Sequence, residues 1–357
     1  MLGVIGLTAA LACVMFAANA GPARAESVEL CRFDALVLPE ISGLAASAIH
    51  EDVVWAHNDS GGGARLYALD TRTCDVLAIL TIRGISARDP EALAAGTASD
   101  GTPVLWWADI GDNTRERRHV EIHQIPEPVE LRDADVRATT YRVRLDQPED
   151  AEALLADGDR LWIIGKGLIS GTVWRLPHPL RADRPARAVS VGVEEGLVTD
   201  AAMRPGGGFA VRDYTEVRIY AGLPPGDLIG RMPLPAQVQG EAMTWTTDGT
   251  ALIIASEGDD RLLLVPVDIA VTPPVRPTAS PAASTPPTMS VTPSMSAAPS
   301  MSATPSMSAT PSMSAVNVLD PVDRVGSFAV IALAIGAGVF VLSIVGVVVM
   351  SRTRRQG

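Results

Sequence analysis

The sequence predicts an all-β fold: a β-propeller ectodomain of five blades, followed by a single C-terminal transmembrane helix. Three observations carry this. One strand pattern recurs five times at a period near 49 residues. Asp-Gly and Pro-Gly turns separate the apolar runs inside the repeats. A separate run of 23 uncharged residues, Phe328 to Met350, is long enough to cross a bilayer as a helix.

Residues 1–25 read as a secretory signal peptide. Leu2 to Ala20 carries no charge, and Ala23-Arg24-Ala25 is a small-x-small cleavage pattern. Residues 26–268 then form the ectodomain. Its first strands begin at Ile41-Ser42-Gly43-Leu44, Pro90-Glu91-Ala92-Leu93, Ala151-Glu152-Ala153-Leu154, Thr199-Asp200-Ala201-Ala202 and Gly240-Glu241-Ala242-Met243. The turns Asp100-Gly101, Asp157-Gly158, Pro205-Gly206 and Asp248-Gly249 lead into second strands such as Val104 to Trp107 and Leu161 to Ile164. Third strands follow, among them Arg65 to Leu69 and Val217 to Tyr220. Four repeats add a fourth strand, as at Val76 to Ile82 and Tyr141 to Leu145. The fifth lacks one, and Phe33 to Leu38 is expected to fill the gap and close the ring. Six blades is the alternative count.

Residues 269–325 form a Pro/Ser/Thr/Met-rich tract in which Met289, Met295, Met301, Met307 and Met313 repeat every six residues. Such a composition cannot bury a core and predicts a disordered stalk. The membrane helix is placed at 326–350. Arg352, Arg354 and Arg355 in the tail 351–357 put the C-terminus in the cytoplasm and the propeller outside. The expected location is therefore the cell membrane, single-pass. The apolar ends also explain a mean hydropathy of +0.21 with only 4% aromatic residues.

Acids outnumber Lys and Arg by 41 to 29, which excludes a basic nucleic-acid-binding face. Cys13 leaves with the signal peptide. Cys31 and Cys74 remain in an oxidising compartment and are expected to pair, latching the last blade to the first.

In an up-and-down blade the start of strand one lies beside the end of strand two, at one mouth of the channel. Strand-one starts carry Ser42, Glu91, Glu152, Asp200 and Glu241. Strand-two ends carry Asn58-Asp59, Asp109, Lys166, Arg212 and Glu257. This excess of carboxylates suits a divalent cation, and Ca²⁺ accepts such oxygens. The predicted metal ligands are Glu91, Asp109, Glu152, Glu241 and Asn58. Without a cation, Lys166 and Arg212 would pair with neighbouring carboxylates and water would cover the rest. His57, Asp112, Lys166 and Arg212 are the candidate catalytic residues, the first two as bases and the last two as oxyanion partners. The tryptophans Trp55, Trp106, Trp107 and Trp162 fall on second strands, where inter-blade packing is expected.

Trp55-Ala56-His57-Asn58-Asp59-Ser60-Gly61, Asp89-Pro90-Glu91-Ala92-Leu93, Asp109-Ile110-Gly111-Asp112-Asn113 and Gln239-Gly240-Glu241-Ala242 together resemble exported bacterial propeller proteins of actinobacterial type. More distantly the chain is similar to esterase-like phytase and gluconolactonase-type propellers. That resemblance implies a central Ca²⁺ and hydrolysis of an ester or lactone. Two functions are therefore expected: a surface module binding an envelope ligand or protein partner, or a Ca²⁺-dependent hydrolase of an ester, lactone or phosphoester.

Overall fold

A computed structural model describes residues 27–59 and 62–268. The segments expected to be a signal peptide, a stalk, a membrane span and a tail lie outside the described residues. Among the described residues no helix is long and apolar enough to cross a membrane.

The described chain forms five sheets of four main antiparallel strands, which in blades one to four run in sequence order from the channel outward. Blade one runs Ile41–Ala46, Val53–Asn58, Arg65–Asp70 and Val76–Ile82. Blade two runs Pro90–Thr97, Pro103–Asp109, Val120–Pro126 and Thr139–Arg144, and blade three Ala151–Asp157, Arg160–Gly165, Ser170–Arg175 and Val189–Glu195. Blade four is Asp200–Met203, Phe209–Arg212, Glu216–Ala221 and Asp227–Pro233. Blade five takes Gln239–Trp245, Ala251–Glu257 and Arg261–Pro266 from the end of the propeller and Val28–Arg32 from its beginning. Two short strands were not predicted. Ala134–Val136 and Ala186–Arg187 add in parallel to the outer edges of blades one and two.

Five apolar clusters match the five blades, each filled from two neighbours. The cluster between blades one and two holds Trp55 and Trp107, that between two and three Trp106 and Trp174, that between three and four Trp162, and that between four and five Trp245. The fifth joins Leu44 and Tyr67 of blade one to Ile253 and Leu262 of blade five, so the ring is closed. Several indole N–H groups donate across blade boundaries: Trp55 to Glu127 Oε1 at 2.9 Å, Trp106 to the Gly158 carbonyl at 3.1 Å and Trp245 to the Ala202 carbonyl at 3.2 Å.

The closing strand differs from expectation. Val28–Arg32 pairs antiparallel with Arg261–Pro266, Val28 facing Leu264 and Arg32 facing Arg261. Phe33 to Leu38 is a turn instead. Asp34 organises it, its carbonyl accepting the N–H of Val37 and Leu38 and its carboxylate that of Leu36. Phe33 and Leu38 are both buried in the cluster between blades five and one. Cys31 near the end of the closing strand bonds Cys74 in blade one, with Cα atoms 5.6 Å apart.

Candidate functional site

β-Bulges at the channel mouth build the site. In blade one the register of the first two strands slips between Ile41 and Gly43, leaving Ser42 as the extra residue. The same slip falls at Glu91 in blade two, at Glu152 in blade three and at Gly240-Glu241 in blade five. A bulge bends the strand and re-aims the side chain it carries. Blade four has no slip: Asp200 faces Arg212 in regular register. Its carboxylate is fully buried and accepts the N–H of Ala201 at 2.7 Å and of Met243 at 2.6 Å. Burial pushes that carboxyl well above its ordinary range.

Three carboxylates converge where blades one and two meet. Asp59 follows the second strand of blade one, Asp89 precedes the first strand of blade two, and Glu91 occupies its bulge. One oxygen from each lies within 4.8 Å of the others. Asp59 Oδ1 is buried without a hydrogen-bond partner. Glu91 Oε2 accepts from Ser42 Oγ at 3.3 Å. Gly111 closes the third side. A Cβ there would run into the Asp89 carboxylate and lie 2.7 Å from Glu91 Oε1, so only glycine leaves the two carboxylates their place. Burial, then the charges of Glu152, Asp59 and Asp89, push Glu91 up to about 10. Burial with Asp89 and Glu241 pushes Asp59 to about 6, and burial with Asp150 raises Asp89. Crowded, poorly solvated carboxylates resist ionising together. Three hard oxygen donors in this arrangement could hold a metal ion.

The other half of the mouth carries its own countercharge. Lys166 Nζ lies 3.0 Å from Glu152 Oε1 and 5.8 Å from the centre of the Tyr214 ring. Tyr214 donates to Glu241 Oε1 at 3.3 Å, and Gln239 Nε2 bridges Glu241 at 2.8 Å and Glu257 at 2.6 Å. Burial raises Glu152 to about 8 even against the pull of Lys166. Burial works to lower Lys166, but Glu152 and Tyr214 outweigh it and hold the ammonium above its ordinary range.

The remaining predicted residues are placed as follows. Asp109 is buried against Arg117, Oδ1 to Nη1 at 2.6 Å, and its carboxylate also accepts the N–H of Arg88 and Asp89. It thereby holds the backbone that carries Asp89. Asn58 ties down the preceding loop, accepting from the Glu40 N–H at 3.1 Å and donating to the Val37 carbonyl at 3.0 Å. Asp112 accepts the N–H of Glu116 and Arg117, both at 2.9 Å. His57 is fully buried beside Trp107, its Nδ1 3.0 Å from the Asn58 carbonyl, and burial lowers it to about 4. Arg212, also fully buried, donates to the Ala242 carbonyl at 3.0 Å and to Gln237 Oε1 at 2.8 Å, and burial lowers it to about 10. Of the predicted metal ligands, Glu91, Glu152 and Glu241 face one another electrostatically across the mouth. Asn58 and Asp109 serve the backbone around it. Asp89 was missed. The signal for it is its position two residues before Glu91, with proline between them.

No protein-family model and no curated protein sequence matches the chain. Among solved structures it is similar to a gluconolactonase from Xanthomonas campestris, 14% identical, covering 68% of this chain and 89% of that one with a TM-score of 0.41. It is also similar to a streptogramin B lyase, 12% identical, covering 63% of this chain and 64% of that one with a TM-score of 0.35. The five sheets themselves, rather than these likenesses, establish the propeller.

Proposed function

We propose that this chain is a membrane-anchored extracellular propeller that binds Ca²⁺ at its channel mouth and, through it, an oxygen-bearing ligand or partner of the cell envelope. The observation that carries this is the convergence of Asp59, Asp89 and Glu91 with oxygens within 4.8 Å of one another. Those residues would hold the ion, and a bound Ca²⁺ supplies open coordination positions for ligand oxygens. The Lys166–Glu152 pair on the facing side leaves one cationic donor for an anionic group of the ligand. Calorimetric titration of Ca²⁺ onto the full-length protein in neutral detergent tests it. Saturable heat that disappears in Glu91→Gln is the expected result. Absence of heat, together with an unchanged melting temperature, refutes it.

One observation favours a hydrolase of an ester, lactone or phosphoester as the second reading. Glu152, raised to about 8 and touching Lys166, holds a proton that it can exchange near neutral pH. In that reading the ionised fraction of Glu152 takes the proton of an attacking water and Lys166 balances the developing oxyanion. A panel of such substrates, run with Ca²⁺ and with chelator, separates the readings. Turnover lost in Glu152→Gln while Ca²⁺ binding persists selects the enzyme.

A further inference from the structure

A second polar cavity, of about 300 Å³, lies at the perimeter of blade two on the same face as the acidic mouth. It differs from the mouth in bringing several arginines together. Arg118, His119, Arg144 and Arg187 line it. Arg144 ends the outer strand of blade two, and Arg187 ends the short parallel strand Ala186–Arg187 added to it. The two arginines are direct partners across the ladder. Like charges in that relation destabilise a sheet, so the pairing calls for an anion.

Among the described residues no carboxylate forms an ion pair with either arginine. Among the described residues none of these four side chains has an ion-pair or hydrogen-bond partner. The lining also holds four carboxylates, Asp112, Glu116, Asp146 and Glu149, and neutral donors engage each of them, Glu116 through the Thr114 hydroxyl at 3.5 Å. Asp112 accepts backbone N–H groups, and Asp146 accepts from Trp174 Nε1 at 2.7 Å. Glu149 accepts from the N–H and hydroxyl of Thr172 at 2.8 and 2.9 Å. The guanidinium donors of Arg118, Arg144 and Arg187 are left without a protein partner beside these carboxylates. A planar guanidinium fork matches the oxygens of a phosphoryl group in two-pronged fashion, and three such forks in one concavity suit a group with several acceptor oxygens. We infer that Arg118, His119, Arg144 and Arg187 form a binding site for a phosphoryl oxyanion.

The test titrates inorganic phosphate onto the full-length protein in neutral detergent, at ionic strength held constant with chloride. Phosphate is expected to bind saturably and to raise the melting temperature as a ligand of the folded state does. Arg144→Gln and Arg187→Gln should each weaken it at least tenfold. Arg142→Gln, on the same strand but outside the cavity, should leave it unchanged. In phosphate-free buffer Arg187→Gln should melt no lower than the parent, since it relieves the like-charge pair. A merely structural arginine would instead leave that variant less stable with or without phosphate. Two further ligands identify the source: a glycerol phosphodiester and a short-chain phosphatidylglycerol below its micellar concentration. The tightest arginine-dependent binder among the three names it. No saturable binding by any of them, or binding that Arg144→Gln and Arg187→Gln leave intact, overturns the inference.

Discussion

Raising the pH from 6.5 to 8 in the presence of a chelator should destabilise the protein, and the channel mouth supplies the reason. Burial and three neighbouring carboxylates hold Glu91 at about 10 in the fold, against an ordinary value of 4.5. Between those limits the folded state keeps a proton that the unfolded chain has released. The stability this proton confers is complete below the ordinary carboxylate range and is lost steadily as the pH rises toward the folded value. One such proton is worth about 1.4 kcal/mol per pH unit, so Glu91 alone accounts for about 2 kcal/mol across the window. Glu152, raised by burial to about 8, adds to it in the same direction. For a fold of this size the change corresponds to a fall of roughly 4 to 8 °C in melting temperature. The window isolates the mouth from the buried histidines. Burial lowers His57 and His123 to about 4, so the stability their neutral rings confer is lost only as the pH falls below 6.5. The assay is a series of thermal melts of the full-length protein, followed by circular dichroism. Saturating Ca²⁺ should flatten the slope because the cation favours the ionised carboxylates. Glu91→Gln should flatten it without Ca²⁺. A melting temperature that stays level or rises between pH 6.5 and 8 in chelator would refute the assignment of a buried, protonated carboxyl to the mouth.

Three further outcomes follow from the packing. Cys31→Ser with Cys74→Ser opens a bridge between residues 43 apart, and unfolding in urea should show a loss of about 3 to 4 kcal/mol. Gly111→Ala should weaken Ca²⁺ binding at least tenfold by calorimetry, because the new methyl group displaces the carboxylates of Asp89 and Glu91. Arg218→Ala should cost about 3 to 5 kcal/mol in the same unfolding assay. It leaves Glu194 buried after removing a pairing at 2.7 Å between side chains only 2% and 4% exposed.

The strand order was legible because its signals are local. An Asp-Gly turn and a run such as Leu161 to Ile164 declare a hairpin within a dozen residues. Blade closure was legible only in outline. Val28 to Arg32 and Phe33 to Leu38 are both apolar enough to be an outer strand. What decides between them is Asp34, whose carbonyl and carboxylate together capture three N–H groups and turn the chain before Phe33 to Leu38 can pair. The parallel strand Ala186–Arg187 has no periodicity to read at two residues, yet it creates the arginine pair of the second cavity.

The site was half legible for a reason that also lies in the backbone. Alternation predicts that equivalent residues of equivalent strands do the same work, so Glu91, Glu152, Asp200 and Glu241 were read as one ring. The bulges break that equivalence. Where the register slips, Glu91, Glu152 and Glu241 interact with one another across the mouth; where it does not, Asp200 turns into the protein and clamps the N–H of Met243 in blade five. A bulge adds one residue without changing the apolar alternation enough to announce itself. The carboxylates that gather at one point, Asp59, Asp89 and Glu91, therefore come from a strand end, a strand approach and a bulge, three positions that no single period relates. Asp109 was misleading for the opposite reason. It sits at a regular strand end with the right chemistry, but Arg117, eight residues on, returns to take its charge, and the pair serves to fix the backbone of Asp89. Gly111 and Arg117 therefore decide where those carboxylates stand.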